Sequence, residues 1–240
     1  MIKAVFFDWY NTVARFWPPR EDQQVAACKV FGVEVSPFSL RMAYPAADEF
    51  MTKENAYFSI GQRPPEEQQR FWAEYEATLL RGAGVTVAPE LGLQIFQEVR
   101  RHPSDFALFE DALPTMRELR SRNITLGLLS NIRRDMQAIC ERMGVARYVE
   151  FALTSEEVGF EKPHPAIFME ALKRANVAPA QAIHIGDQYH SDVVGARGVG
   201  IHALLLDRDG ISTAPPDCPR IKDLGEVVRY LAPGPGFRPL

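Results

Sequence analysis

From residue 106 onward the chain alternates short apolar runs with stretches of helical spacing, and that alternation narrows its fold more than any other feature. ITLGLLSN, YVEFALT, AIHIGD and IHALLLD read as strands, while 113–120, 135–143, 165–175 and 191–196 read as helices. Strands and helices alternating at this interval predict a parallel sheet covered on both faces. One more apolar run, AVFF at residues 4–7, has no strand partner near it in sequence. It is expected to join the later sheet, which makes everything between an insertion.

That insertion carries helical patterns at 22–31, 38–51, 64–84 and 89–99. The segment PPEEQQRFWAEYEATLLRGAG begins with two prolines and acidic residues and ends in glycine, which are helix start and stop signals. Its residues Phe71, Trp72, Tyr75, Leu79 and Leu80 recur on one face and read as local core. The expected organisation is therefore α/β: a Rossmann-like, doubly wound parallel sheet from 1–14 and 104–240, with an all-helical domain inserted over 15–103. The tail APGPGFRPL is expected to be irregular.

With 240 residues there is room for a main domain and a smaller one. The net charge of −4 is mild, and no basic arm or stripe is present, so nucleic acid is not an expected partner. No apolar stretch approaches the roughly 18 residues needed to span a bilayer, and Asp8 interrupts the first apolar run. Cys28, Cys140 and Cys218 lie far apart without metal-type spacing and read as thiols in a reducing compartment. A soluble cytoplasmic protein, monomer or homodimer, follows as the expectation. His164, His184 and His190 likewise lack metal spacing and read as structural or supporting residues.

Three of the strands finish in polar residues. Asp8 closes AVFFD, Ser130-Asn131 closes ITLGLLSN, and Gly186-Asp187 closes AIHIGD. Ligands bind in open parallel sheets beyond the carboxyl ends of the strands. Lys162 precedes a proline at a predicted helix start in EKPHPAIF, and Asp192 follows Asp187 by five residues. One nucleophile candidate, one hydroxyl, one lysine and two further acids can thus converge at a single rim.

The order Asp8…Thr12, Ser130, Lys162, then Gly186-Asp187-x4-Asp192 resembles the haloacid dehalogenase superfamily of hydrolases, across essentially the whole chain. The resemblance implies that the inserted helices are a cap that sets specificity for a small-molecule substrate. It makes Asp8 the nucleophile, forming a covalent aspartyl intermediate. It makes Ser130, beside Asn131 and with the Asp8–Thr12 loop, a donor to the transferring group, and Lys162 the counter-charge. Asp8, Asp187 and the backbone carbonyl of Tyr10 would hold Mg²⁺, with Asp192 orienting Lys162 or a metal-bound water.

Tyr10 departs from the family's phosphatases, which carry an acid–base Asp at that place. A phenol with a free pKa near 10 is a poor base at neutral pH. Tyrosine there resembles the family's dehalogenase branch, which uses no metal, and for which Arg41 would be the substrate-binding cation. That branch lacks an acid matching Asp187, whereas this chain has both Asp187 and Asp192. The reading that follows is a Mg²⁺-dependent hydrolase of a small phosphorylated compound. A 2-haloacid dehalogenase and a catalytically weakened member that binds a ligand or partner are the alternatives. Arg20, Arg41 and Lys53 are the polar candidates for substrate contact in the insertion.

Overall fold

The computed structural model describes residues 1–132 and 134–231; the Pro/Gly-rich tail expected to be irregular lies outside the described residues. In chain order the elements are β1 (Ala4–Phe7), β2 (Ala14–Trp17), α1 (Arg20–Val30), α2 (Pro37–Tyr57), α3 (Pro65–Gly82), α4 (Pro89–Val99), β3 (Asp105–Leu108) and α5 (Ala112–Ser121). There follow β4 (Thr125–Ser130), α6 (Met136–Arg142), β5 (Phe151–Thr154), α7 (Ser155–Val158), α8 (Pro165–Ala175), β6 (Ala182–Gly186), α9 (Gly195–Gly198), β7 (His202–Leu206) and β8 (Arg220–Ile221). The chain divides into two compact units, Met1–Arg15 with Ala107–Leu240, and Phe16–Phe106.

The first unit is built on a six-stranded sheet of order β5-β4-β1-β6-β7-β8, with every described pairing parallel. β1 therefore lies between β4 and β6, as its isolation in the sequence requires. All four of its residues are buried, because helices cover both faces of a parallel sheet and no side needs to be polar. Phe6, Leu129, Leu153, Phe168 and Leu205 share one core cluster. The register pairs Phe7 with Leu128 on one side and Ile185 on the other. It brings the C-terminal ends of β1, β4 and β6 level, at the place where the strand order reverses.

The second unit packs α3 against α2 and α4, and α1 against α2 and α4. Phe71 and Tyr75 are buried there, and Trp72 stacks on Phe96 with ring centroids 4.4 Å apart. A polar network also lies inside this unit. Arg20 donates to Asp48 (2.7 Å), Tyr75 donates to the other Asp48 oxygen (2.9 Å), and buried Gln24 donates to buried Glu76.

Three expectations need correcting. The region 15–103 is not wholly helical: β2 opens it and pairs with β3 in a two-stranded ribbon. In β2 Ala14 is buried while Arg15 and Trp17 are exposed, the period of two that a helical reading cannot accommodate. The helix expected at 191–196 is a wide π-type turn, Tyr189–Val194, running into α9. The wider turn directs Asp192 inward, and such turns recur at functional sites. YVEFALT contributes only Phe151–Thr154 as strand, and the short edge strand β8 had no signal strong enough to read.

Candidate active site

Asp8 follows β1 directly, and its N–H donates to the Ile185 carbonyl of β6 at 2.8 Å, extending the ladder by one residue. The chain then turns sharply. Val13 and Ala14 N–H groups donate to the Trp9 carbonyl, and Asn11 adopts the left-handed region at φ 57°. Asn tolerates that conformation better than most residues because its short side chain bonds locally. Thr12 is buried within this loop, and its Oγ1 has no hydrogen-bond partner among the described residues. Tyr10 is half-buried and bridges Ala14 through its main chain.

Lys162 joins the ends of the other segments. Its Nζ donates to Asp8 Oδ1 and to Asp192 Oδ1, each at 2.6 Å, and all three side chains are buried. The lysine is delivered by its own main chain, which Asn131 grips at both ends. Lys162 N–H donates to Asn131 Oδ1 (2.8 Å), and Asn131 Nδ2 donates to the Lys162 carbonyl (3.1 Å). The side chain of Asn131 is therefore engaged in holding the lysine. Its neighbour Ser130 closes β4, is buried, and accepts from the Ile132 N–H at 3.3 Å.

Asp192 accepts three hydrogen bonds. Oδ1 meets Lys162 and His184 Nε2 (2.9 Å), and Oδ2 accepts from the Gln188 N–H (3.1 Å). Its approach depends on Gly186, where a Cβ would sit 2.1 Å from Asp192 Cγ. Burial alone would favour a neutral acid, but Lys162 and then His184 outweigh it and hold Asp192 well below the usual carboxylate range. Asp8 has the opposite balance. Burial pushes it up to about 6 against the pull of Lys162, and the Asp192 charge adds to the rise. Two carboxylates sharing one ammonium leave a net negative charge in a buried place, and an added cation would relieve it.

Asp187, half-buried at the end of β6, supplies the third carboxylate. Oxygens of Asp8, Asp187 and Asp192 lie within 4.8 Å of one another. Since Asp192 already accepts three hydrogen bonds, Asp8 and Asp187 are the oxygens suited to a metal. An all-oxygen donor set suits a hard divalent ion.

The structure thus brings together Asp8, Lys162, Asp187 and Asp192, with Ser130 and Asn131 at the adjoining strand end. Of the cations considered in the helical unit, Arg20 is bonded to Asp48, Arg41 to Glu21 (2.8 Å) and Lys53 to Glu49 (2.7 Å). His184, read from the sequence as structural or supporting, is placed against Asp192. One supporting group, Arg208, had no signal in the sequence. Its Nη2 donates to the Thr12 carbonyl (2.8 Å) across 196 positions, and it pairs with Asp111 through both terminal nitrogens.

A family model described as haloacid dehalogenase-like hydrolase matches residues 2–200. The chain is 30% identical over 209 residues to the human haloacid dehalogenase-like hydrolase domain-containing protein 3, covering 85% of this chain and 82% of that one. It is 27% identical over 244 residues to a glyceraldehyde 3-phosphate phosphatase of Methanothermobacter thermautotrophicus, covering 96% and 100%. Among solved structures it resembles a 2-haloacid dehalogenase from Pseudomonas syringae, with TM-score 0.57, 25% identity, and coverage of 96% and 98%. Among the described residues no helix is long and apolar enough to cross a membrane.

Proposed function

This chain belongs to the haloacid dehalogenase-like hydrolase family, and from that membership and the geometry around Lys162 we propose a Mg²⁺-dependent phosphatase acting on a small phosphorylated compound. The observation that carries the reading is the third carboxylate. Asp187 beside the Asp8–Lys162–Asp192 chain completes a cluster of carboxylate oxygens within 4.8 Å of one another, the donor chemistry a hard divalent cation takes. A relative named for phosphatase activity over almost the full length of both chains supports the same direction.

In this reading Asp8, Asp187 and the Tyr10 backbone carbonyl hold Mg²⁺, which when bound offsets charge on Asp8 and on the phosphoryl oxygens. Asp8 attacks phosphorus, so that an O–P bond to the enzyme forms while the bond to the leaving oxygen breaks. Lys162 keeps Asp8 ionised and aimed, and Ser130 donates to a phosphoryl oxygen. Asn131 fixes the Lys162 main chain, and Asp192 fixes its ammonium. Thr12, packed inside the loop after the nucleophile, supports the loop that faces the phosphoryl group. Water then attacks the aspartyl phosphate, releasing phosphate and restoring Asp8. The helical unit is proposed to act as the cap that selects the substrate.

Tyr10 stands where an acid–base Asp would protonate the leaving oxygen and activate that water. Losing such a group costs roughly 10²–10⁴ in rate. Substrates whose leaving oxygen is stable as an anion, such as aryl or acyl phosphates, are therefore favoured, with breakdown of the aspartyl phosphate slow. The same tyrosine is what favours the second reading, carbon–halide hydrolysis without metal. Against it, the Arg41 that would bind a haloacid carboxylate is paired with Glu21.

The test is turnover of p-nitrophenyl phosphate with Mg²⁺ and with a chelator, beside chloride release from 2-chloropropionate. We expect Mg²⁺-dependent phosphate release, absent in Asp8→Asn and raised in Tyr10→Asp. Thermal stabilisation by Mg²⁺ should be lost in Asp187→Asn. Chloride release in the presence of chelator would overturn the reading in favour of the dehalogenase. Stabilisation by Mg²⁺ with neither reaction would favour a binding role.

A further inference from the structure

His184 is fully buried on β6, between β1 and β7, in a strand whose other buried residues are Ala182, Ile183, Ile185 and Gly186. Placing an imidazole there costs desolvation unless it is hydrogen-bonded. Its ring is set edge-on to Phe168, centroids 5.2 Å apart at 84°, and Phe168 in turn occupies space that Gly195 leaves open, where a Cβ would lie 2.6 Å from that ring. The orientation so enforced points Nε2 at Asp192 Oδ1, the same oxygen that receives Lys162.

The hydrogen-bond pattern determines the tautomer. Oδ1 of an ionised Asp192 can only accept, so Nε2 carries the proton. On the other side of the ring Nδ1 is buried and forms no hydrogen bond of normal geometry, although the Phe6 main chain, paired with His184 across the sheet, acts to favour a proton on the ring. Burial and the nearby Lys162 charge lower the ring's proton affinity more than Asp192 and the Phe6 main chain raise it, so the ring is a neutral Nε2–H donor.

We propose that His184 is a positioning residue of the catalytic machinery: by donating from Nε2 it fixes the Asp192 side chain so that Oδ1 holds the Lys162 ammonium against Asp8. This rests on the phosphatase reading for its consequence, but the hydrogen bond and tautomer do not. His184 touches neither substrate nor nucleophile. Its effect passes through Asp192 and Lys162 to the charge that faces Asp8. Without the donor, Asp192 keeps Lys162 on Oδ1 and the Gln188 N–H on Oδ2, so Oδ1 is held by one contact fewer and positions the lysine less firmly against the nucleophile.

The experiment compares wild type, His184→Leu and His184→Gln on p-nitrophenyl phosphate, with concentrations corrected for folded protein by urea titration. It also records nitrogen-15 spectra of the histidine-labelled wild type. Loss of one hydrogen bond to a charged group predicts a kcat about 10- to 100-fold lower in His184→Leu, with KM changed less than about threefold. His184→Gln, whose amide can reach the same oxygen, should recover at least half of that loss on a logarithmic scale. The spectrum should show a neutral ring protonated on Nε2. A kcat in His184→Leu within twofold of wild type, no recovery in His184→Gln, or a proton on Nδ1 would each overturn the proposal. If wild type turns over no phosphate ester, the phosphatase reading fails, and the nitrogen spectrum still decides the tautomer on which this inference stands.

Discussion

Gly186→Ala is the sharpest test of how the site is held together. An added Cβ at this position would lie 2.1 Å from Asp192 Cγ and 2.2 Å from its Oδ2. Carbon atoms rest at about 3.5–4.0 Å, so Asp192 has to retreat by ~1.4 Å or more. Its bonds from Lys162 and His184 are now 2.6 and 2.9 Å, and a shift of that size away from either donor would carry it to about 4 Å, beyond the reach of a hydrogen bond. A buried carboxylate deprived of its partners costs about 3–5 kcal/mol. The variant should therefore unfold at clearly lower urea than wild type, and its folded fraction should turn over p-nitrophenyl phosphate at least ~10-fold more slowly. Gly198→Ala is the control, because nothing lies within 4 Å of a Cβ there; it should change stability by no more than ~0.5–1 kcal/mol. Urea titration followed by tryptophan fluorescence measures both variants. A Gly186→Ala protein with wild-type stability and rate would refute the account of Asp192 as a tightly held support for Lys162.

Two further perturbations probe other parts of the molecule. Burial pushes Glu76 from its ordinary 4.5 up to about 8, against the opposing hydrogen bond from Gln24. Between those pH values the unfolded chain has released a proton that the folded chain keeps, so stability falls as pH rises through the window and levels off above it. At about 1.4 kcal/mol per unit, the cost at pH 7 is on the order of 3 kcal/mol. Glu76→Gln keeps the acceptor for Gln24, so it should raise the urea midpoint at pH 8 and leave it almost unchanged at pH 4.5; equal effects at the two pH values would contradict the buried neutral acid. Arg208 clamps the Thr12 carbonyl, pairs with Asp111 and lies 3.9 Å over the Phe109 ring. Lysine cannot reproduce the planar fork, so Arg208→Lys should cost about 2 kcal/mol in urea unfolding; a loss below ~0.5 kcal/mol would show the clamp to be dispensable.

What could be read from the sequence alone was what depends on neighbours along the chain. The strand character of AVFF, TLGLLS and AIHIG follows from short, nearly continuous apolar runs that suit strands covered on both faces, and the parallel sheet follows from their alternation with helices. The acids at the strand ends were visible too, because a carboxylate that ends a buried run stands out locally. Tertiary structure alone decided the rest. Lys162 reaches Asp8 across 154 positions, and Arg208 reaches Thr12 across 196; no local pattern encodes which distant donor meets which acceptor. β2 was missed because its four residues gain strand geometry only by pairing with β3. Asp192 and His184 were visible as residues, but their contact exists only because the missing Cβ of Gly186 and the wide turn at Tyr189–Val194 bring them together. Periodicity is a property of the backbone's own pitch, whereas a buried charge finds its partners only once the whole sheet has closed around it.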